Sequence, residues 1–274
     1  MVTMWNYRGD HRPLWAVIAT IVASYVAALR LARWGEPWEW VLAAQPIAVL
    51  LLWFLLAGGT VRQLGFPAAA RRRSTADGPA GALVAAAVAA AVIGLSAAAL
   101  LAAEATVAVG SFDAQSALRA GAWAVVIGVF AGALPEELVY RGALLRLAQQ
   151  RWRPRAVIGI TGGLFAFGHL PLLLTTGGGS WEWLGARVAE LLVLGLVLGW
   201  AAVRTGAIWV PLGWHIGSSL VGVFVLQVWS TQTASVWAAA AAAILCHLLL
   251  VPTVLVLERI GVRRRAAAPG SSSG

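Results

Sequence analysis

Six polar side chains between residues 136 and 219 are of types that activate water and stabilise charge. They are Glu136, Glu137, Arg141, His169, His215 and Ser219. A carboxylate or imidazole beside a water molecule can take its proton. His215 and Ser219, four positions apart on one helix face, could both donate hydrogen bonds to a developing oxyanion. These residue types predict acid–base chemistry on a bound water.

Helical spacing predicts different roles for the neighbouring carboxylates of Glu136 and Glu137. Glu137 lies four positions before Arg141, the favourable order for an ion pair on one helix face, so each lowers the cost of burying the other. Glu136 projects about 100° away around the helix. It is therefore left free to accept a proton. Pro135, directly before the pair, is expected to bend the helix and open room for water.

The elements that position these side chains are expected to be membrane helices. Hydrophobic residues make up 60% of the 274 positions and charged residues 11%, with a mean hydropathy of +0.81. This composition predicts an all-α, polytopic membrane protein with about eight transmembrane helices, each near the ~20 residues that cross the hydrocarbon core. Ionisable groups are costly at that depth and are mostly functional. The predicted spans are 14–31, 40–57, 81–103, 120–145, 156–174, 184–203, 207–228 and 236–257.

The positive charge follows membrane topology rather than a nucleic-acid surface, so no nucleic-acid partner is predicted. The net charge is +9, and all 20 basic residues are arginines. With eight helices, all but Arg30, Arg33, Arg119 and Arg187 fall on one side, and the positive-inside rule places both termini in the cytoplasm. The arginines on that side are Arg8, Arg12, Arg62, Arg71, Arg72, Arg73, Arg141, Arg146, Arg151, Arg153, Arg155, Arg204, Arg259, Arg263, Arg264 and Arg265.

The candidate acid–base groups share a depth in the membrane. Measured from the arginine-rich end of each helix, Glu136, His169 and His215 lie ~15, ~21 and ~16 Å deep at ~1.5 Å of rise per residue. This coincidence predicts one site inside the bilayer that opens to the cytoplasmic half.

Other polar groups within the predicted helices are assigned to packing. His247 lies at a comparable depth but has no motif around it, so it is interpreted as a histidine satisfied by a neighbouring helix. Arg187 and Glu190, three positions apart, are interpreted as a mutually neutralising pair near the outer surface.

A single membrane domain is predicted over residues 1–265, with the motif-bearing core at about 120–228 and a flexible tail at 266–274. A basic loop is expected at 65–79 and a glycine-rich outer loop at 175–180. No internal repeat indicates a second unit.

Three ordered motifs lie on consecutive hydrophobic segments of this core. They are Glu-Glu-x-x-x-Arg at Glu136, Glu137 and Arg141, Phe-x-x-x-His at Phe165 and His169, and His-x-x-x-Asn, or a polar variant, at His215 and Ser219. Each motif is weak alone, but the combination resembles the type II CAAX prenyl endopeptidases and their prokaryotic relatives, the CPBP or ABI family of intramembrane proteases. The eight-helix arrangement also resembles that of Ras-converting enzyme.

The resemblance implies a peptide hydrolase with a part for each candidate residue. Glu136 and His169 would activate the attacking water, and His215 and Ser219 would stabilise the oxyanion. Glu137 and Arg141 would order the site. The implied partners are membrane lipids and a peptide or protein substrate, CAAX-type and lipidated or a precursor in peptide maturation. The implied location is a prokaryotic plasma membrane.

The resemblance leaves the use of a metal open. Catalysis in this family is argued both as a glutamate-dependent reaction that requires no cofactor and as a metalloprotease reaction. In the second case Glu136, His169 and His215 could hold Zn²⁺ with an open position for water.

One departure from the family pattern concerns the oxyanion. Ser219 stands where the eukaryotic enzymes carry Asn. A hydroxyl is shorter and offers one donor, so its contribution is expected to be weaker or to act through water.

Two other classes of function account for part of the pattern. A catalytically silent scaffold or bacteriocin-immunity-type protein of the same fold would retain Glu137 and Arg141 for packing, and would tolerate Glu136→Ala. A transporter or ion channel would also contain buried carboxylates and histidines. The transporter interpretation is disfavoured because the chain has no inverted repeat and no pair of broken helices in corresponding halves.

Overall fold

A computed structural model of the chain describes residues 12–35, 37, 39–66, 78–103, 114–176, 180–228 and 236–267. Every regular element in those ranges is a helix, which confirms the all-α prediction. The helices are α1 (Arg12–Arg33), α2 (Glu39–Leu55), α3 (Pro79–Ala103), α4 (114–149), α5 (Pro154–Gly168), α6 (Leu170–Thr176), α7 (Trp181–Thr205), α8 (Trp209–Val228), α9 (Val236–Leu248) and α10 (Leu250–Ala267), with a short 3-10 helix at Val61–Leu64.

The described helices confirm a polytopic membrane protein. Six stretches among them are long and apolar enough to cross a membrane: Arg12–Arg33, Pro79–Ser96, Ala117–Gln149, Pro154–Thr175, Trp181–Thr205 and Val236–Ile260. Each of the eight predicted spans contains helix, but the count of eight crossings and the cytoplasmic termini stay predictions. Most of the predicted basic loop and C-terminal tail, and half of the predicted glycine-rich loop, lie outside the described residues.

Helix α4, which carries Glu136 and Glu137, is wound in two ways. Its α-helical parts are Ala114–Trp123, Leu134–Glu137 and Leu145–Gln149, and the two parts between them, Ala124–Ala133 and Leu138–Leu144, are π-helical. Pro135 contributes to this winding because it has no N–H for the α-helical ladder. The Leu134 N–H instead bonds five residues back, to the Val129 carbonyl. Such π-helical turns are rare and occur frequently at functional sites.

Glycines allow the site-bearing helices to approach one another closely. A Cβ at Gly213 or Gly217 would collide with the backbone of α3, so this face of α8 packs directly on α3. A Cβ at Gly195 of α7 would lie 2.8 Å from the Gly162 carbonyl oxygen of α5. Close packing of small residues is a main source of helix association in membranes, where lipid tails are as apolar as leucine. His215 lies between the two glycines of α8, and its direction is thereby fixed.

Two predicted spans are each interrupted at a single residue. Helix α5 ends at Gly168 and α6 begins at Leu170, and a similar break at Leu249 separates α9 from α10. Pro171 and Pro252 follow these breaks, and each removes the hydrogen bond that would continue the helix. The first break places His169 at a helix end. Both breaks lie in the second half of the chain and do not form a pair in corresponding halves of the described structure.

Candidate active site

The most deeply buried feature of the site is the ion pair between Glu137 and Arg141. Both side chains are 0% exposed, and Arg141 Nη1 donates to Glu137 Oε1 at 2.9 Å. Arg141 Nη2 also donates to the Gly195 carbonyl oxygen at 3.2 Å, which ties α4 to α7. The pairing expected from the four-residue spacing is confirmed.

His215 shares the same carboxylate. Its Nδ1 lies 2.9 Å from Glu137 Oε1, the oxygen that also accepts from Arg141. This contact between α8 and α4 was not predicted, because no spacing within one helix can encode it. It makes Glu137 the group that orients the His215 ring.

The Phe165 ring contacts Arg141 and both histidines of the site. The Arg141 guanidinium carbon lies 4.5 Å from the Phe165 ring centroid, within the range of a cation–π contact. The same ring lies 4.8 Å from the His169 ring and 5.7 Å from the His215 ring. Phe165 is fully buried, and its ring contacts both histidine rings.

Glu136 lies between the two histidines. Its Oε1 is 3.6 Å from His169 Nε2, and its Oε2 is 3.7 Å from His215 Nε2. These distances are too long for direct hydrogen bonds. Oε2 is buried without a hydrogen-bond partner, whereas the whole side chain is 26% exposed. A water molecule between these atoms would satisfy the groups on both sides.

The contact that each histidine makes through Nδ1 indicates which ring nitrogen carries a proton. His169 Nδ1 lies 2.9 Å from the Phe165 carbonyl oxygen, which only accepts, so this Nδ1 carries a proton. His215 Nδ1 carries one for the same reason, because it faces the Glu137 carboxylate. In a neutral ring the Nε2 atom is then an acceptor turned toward Glu136, and in a doubly protonated ring it is a donor.

Such Nδ1 contacts also orient histidines that bind metals. Within the described ranges, however, no group of three or more His, Cys, Asp or Glu side chains is arranged to hold a metal ion.

Ser219 lies one turn beyond His215 on α8, at the edge of the site. It packs on the π-helical part of α4, where a Cβ at Gly128 would lie 3.2 Å from the Ser219 carbonyl oxygen. No hydrogen bond joins its hydroxyl to the other five candidates among the described residues. The structure thus brings together Glu136, Glu137, Arg141, His169 and His215, here called the site cluster, and leaves Ser219 beside it.

Three polar residues that the sequence argument missed form a wall of the site. Tyr25 of α1 is buried, and Gln45 of α2 donates from Nε2 to the Ile21 carbonyl oxygen of α1 at 3.5 Å. A Cβ at Gly168 would collide with the Tyr25 hydroxyl and lie 2.8 Å from the Tyr140 hydroxyl, so both phenols border the turn that carries His169. Two signals were present in the sequence: Gln45 is polar inside an apolar helix, and Tyr25 lies far from the helix ends where interfacial tyrosines collect.

A separate group of polar residues, here called the second cluster, consists of the half-exposed Arg187 and the buried Glu190, Trp214 and His247. Arg187 and Glu190 form the predicted ion pair. Glu190 Oε1 also lies 3.8 Å from His247 Nε2, and Trp214 Nε1 donates to His247 Nδ1 at 3.4 Å. His247 is therefore satisfied by neighbouring helices, as the sequence indicated, and lies apart from Glu136.

The comparisons with known proteins agree with the motifs. Residues 118–221 match the family described as Rce1-like, type II CAAX prenyl endopeptidase Rce1-like. This confirms the family resemblance over a segment that contains all six candidate residues. No curated protein and no solved structure matches the chain. With the long apolar helices, the match supports an integral membrane protein with a CAAX-type intramembrane protease fold and, at a coarse level, the peptide hydrolase class.

Proposed function

We propose that this chain is an intramembrane endopeptidase that hydrolyses peptide bonds near the membrane with a water activated by Glu136 and His169. The observation that carries the proposal is the position of the Glu136 carboxylate between His169 Nε2 and His215 Nε2, at 3.6 and 3.7 Å. The substrates are peptides or proteins in or at the membrane, of CAAX type or precursors in peptide maturation. The site faces the cytoplasmic half of a prokaryotic plasma membrane.

The first step is the attack of water on the scissile carbonyl carbon. Glu136 accepts the proton of this water, and His169 Nε2 accepts its second hydrogen bond, which directs the oxygen lone pair at the substrate. The Phe165 carbonyl fixes the His169 ring through Nδ1. The same His169 turn ends α5, where the break in the helix gives the ring access to Glu136.

His215 stabilises the oxyanion as a cation. It can donate from Nε2 while Nδ1 donates to Glu137 only if both nitrogens carry protons. The site cluster then holds two positive groups, Arg141 and His215, against the carboxylates Glu136 and Glu137. The cluster is neutral overall, which lowers the cost of keeping four charges in a medium of low dielectric.

Collapse of the tetrahedral intermediate completes the hydrolysis. The C–N bond breaks, the proton held by Glu136 passes to the leaving amine, and the carbonyl of the new carboxyl group re-forms. General acid–base catalysis of this kind contributes a factor of about 10²–10⁴. Ser219 supports the oxyanion weakly or through water, because its hydroxyl lies one turn from His215.

The test is a cleavage assay on purified protein in detergent with a panel of membrane peptides, including lipidated ones. We expect Glu136→Gln and His169→Ala to slow turnover by a factor of at least about 10². The matched control is Glu190→Gln, which alters a buried glutamate of the second cluster and should retain most of the activity.

Two outcomes would contradict the proposal. Equal turnover by Glu136→Gln and the unaltered protein would remove Glu136 from the chemistry and favour the silent scaffold. Loss of cleavage on chelation, with restoration by stoichiometric Zn²⁺ and metal found in the purified protein, would replace the metal-free mechanism by the metalloprotease one.

A further inference from the structure

Arg146, near the end of α4, is a cation with no counter-ion in the part of the chain that the structure describes. Its Nη1 donates to Gln149 Oε1 at 3.2 Å, but Nε and Nη2 are buried and make no hydrogen bond. No carboxylate among the described residues pairs with it. Arg141, Arg187 and Arg204, by contrast, all have glutamate partners.

The surroundings of Arg146 hold a second unused donor. Arg146 Nη2 lies against Gly65, where a Cβ would come within 2.8 Å of it, and φ at Gly65 is +102°. Phe66, the next residue, packs edge-on against the Trp209 ring at 5.1 Å. Trp209 Nε1 is also buried without a hydrogen-bond partner. The Ile208 N–H donates to the Gly65 carbonyl at 3.0 Å, so the two unused donors border one junction between α4, α8 and the 3-10 helix.

The chemistry of these donors defines the ligand. Arginine and the indole N–H can only donate hydrogen bonds, so the missing partner must be an acceptor. Two nitrogens of this guanidinium are buried without a counter-charge, which is costly and favours an anion as that acceptor. Guanidinium groups bind phosphate oxygens strongly through paired N–H donors.

The position of the junction favours a lipid as the source of this anion. Arg146 lies within one turn of the end of α4, at the arginine-rich end of the bundle, where Arg151, Arg153 and Arg155 are exposed. This is the level of the phospholipid headgroups, and basic pockets between membrane helices bind such headgroups. We propose that Arg146 and Trp209 form a binding site for the phosphate group of a membrane phospholipid. This site lies apart from the site cluster and does not depend on proteolytic activity.

The test measures lipid binding by delipidated protein in a non-ionic detergent. The protein is titrated with dioleoyl phosphatidylglycerol, with dioleoylglycerol, which has the same tails without phosphate, or with inorganic phosphate, and thermal unfolding is followed. We expect phosphatidylglycerol alone to raise the unfolding midpoint. The apparent affinity should fall about tenfold or more in Arg146→Gln, because a charge-assisted hydrogen bond is lost. Arg151→Gln, an exposed arginine at the same end, is the matched control and should bind like the unaltered protein.

Each outcome decides the proposal. Trp209→Phe keeps the ring contact with Phe66 and removes the N–H, so it tests the site even if Arg146→Gln does not fold, and weaker lipid binding is expected. Unchanged phosphatidylglycerol binding in both variants would overturn the site. Equal stabilisation by dioleoylglycerol would overturn the role of the phosphate. Equal stabilisation by inorganic phosphate would support an anion site and overturn the lipid as its source.

Discussion

The site cluster and the second cluster contain the same types of charged side chain, but they differ in how completely those side chains are paired. Each has a glutamate paired with an arginine and in contact with a histidine. The site cluster has in addition Glu136, whose buried Oε2 has no hydrogen-bond partner and which approaches two histidines without bonding to either. A buried charged group is thus a weak sign of chemistry. An unpaired carboxylate held beside imidazoles is a stronger one.

Helix α8 contributes neighbouring residues to both clusters. Trp214 donates to His247 of the second cluster, and His215 contacts Glu137 of the site cluster. Because consecutive helical side chains project in different directions, one helix can support a packing network on one face and a reactive group on the next. Substitutions at matched positions in the two clusters therefore separate packing from chemistry.

The largest effect is expected from the two arginines. Arg141→Met leaves Glu137 buried without its main counter-charge and should lower the free energy of unfolding by about 3–5 kcal/mol. Arg187 is 39% exposed, so Arg187→Met should cost about 1 kcal/mol or less. Thermal unfolding in detergent measures both.

A double substitution sharpens this contrast. Arg141→Met with Glu137→Leu removes the whole buried pair and should recover part of the lost stability, whereas cleavage should stay lost because His215 no longer has its partner. An Arg141→Met variant as stable as the unaltered protein would contradict the account of the buried pair.

Contacts within one helix could be predicted from the sequence, whereas contacts between helices could be predicted only in part. The Glu137–Arg141 pair was predictable because an i, i+4 spacing is local. The approach of Glu136, His169 and His215 was anticipated from their distances to the arginine-rich helix ends, which depend only on helical rise. The sequence did not predict the rotation of each helix about its own axis. Gly213 and Gly217 set the direction of His215 by packing α8 on α3, and only that tertiary contact brings the ring to Glu137.

The winding of α4 was the other unpredictable element. A divergence of about 100° between Glu136 and Glu137 is the value for an α-helix. The π-helical parts on both sides of Leu134–Glu137 change the angle per residue and shift every side chain that follows. No residue pattern before Pro135 signals ten residues of π-helix.

The next effect compares the two histidines. His215→Gln removes the cation that would bind the oxyanion, and kcat should fall about 10²–10³-fold with little change in KM, because the interaction forms only in the transition state. His247→Gln keeps a polar group next to Glu190 and should change kcat less than about tenfold. Steady-state kinetics on one peptide substrate measures both. Equal losses of activity in the two variants would mean that the two clusters act as one unit.

The smallest effect is expected at Ser219, which extends the site cluster by one turn. Because its hydroxyl bonds to none of the site cluster, Ser219→Ala should lower kcat about tenfold or less, below the usual cost of removing an oxyanion donor. Ser218 is the matched control, since its hydroxyl donates to the His215 carbonyl at 2.9 Å and faces the helix backbone. Ser218→Ala should cost about 1 kcal/mol of stability and leave kcat unchanged.

Ser219→Asn places a longer hydrogen-bond donor at the same position. It should raise kcat if the serine hydroxyl is too short to reach the oxyanion. If Ser219→Ala instead slowed turnover about a thousandfold, the hydroxyl would have to turn toward the substrate in the bound state and act as a full oxyanion donor.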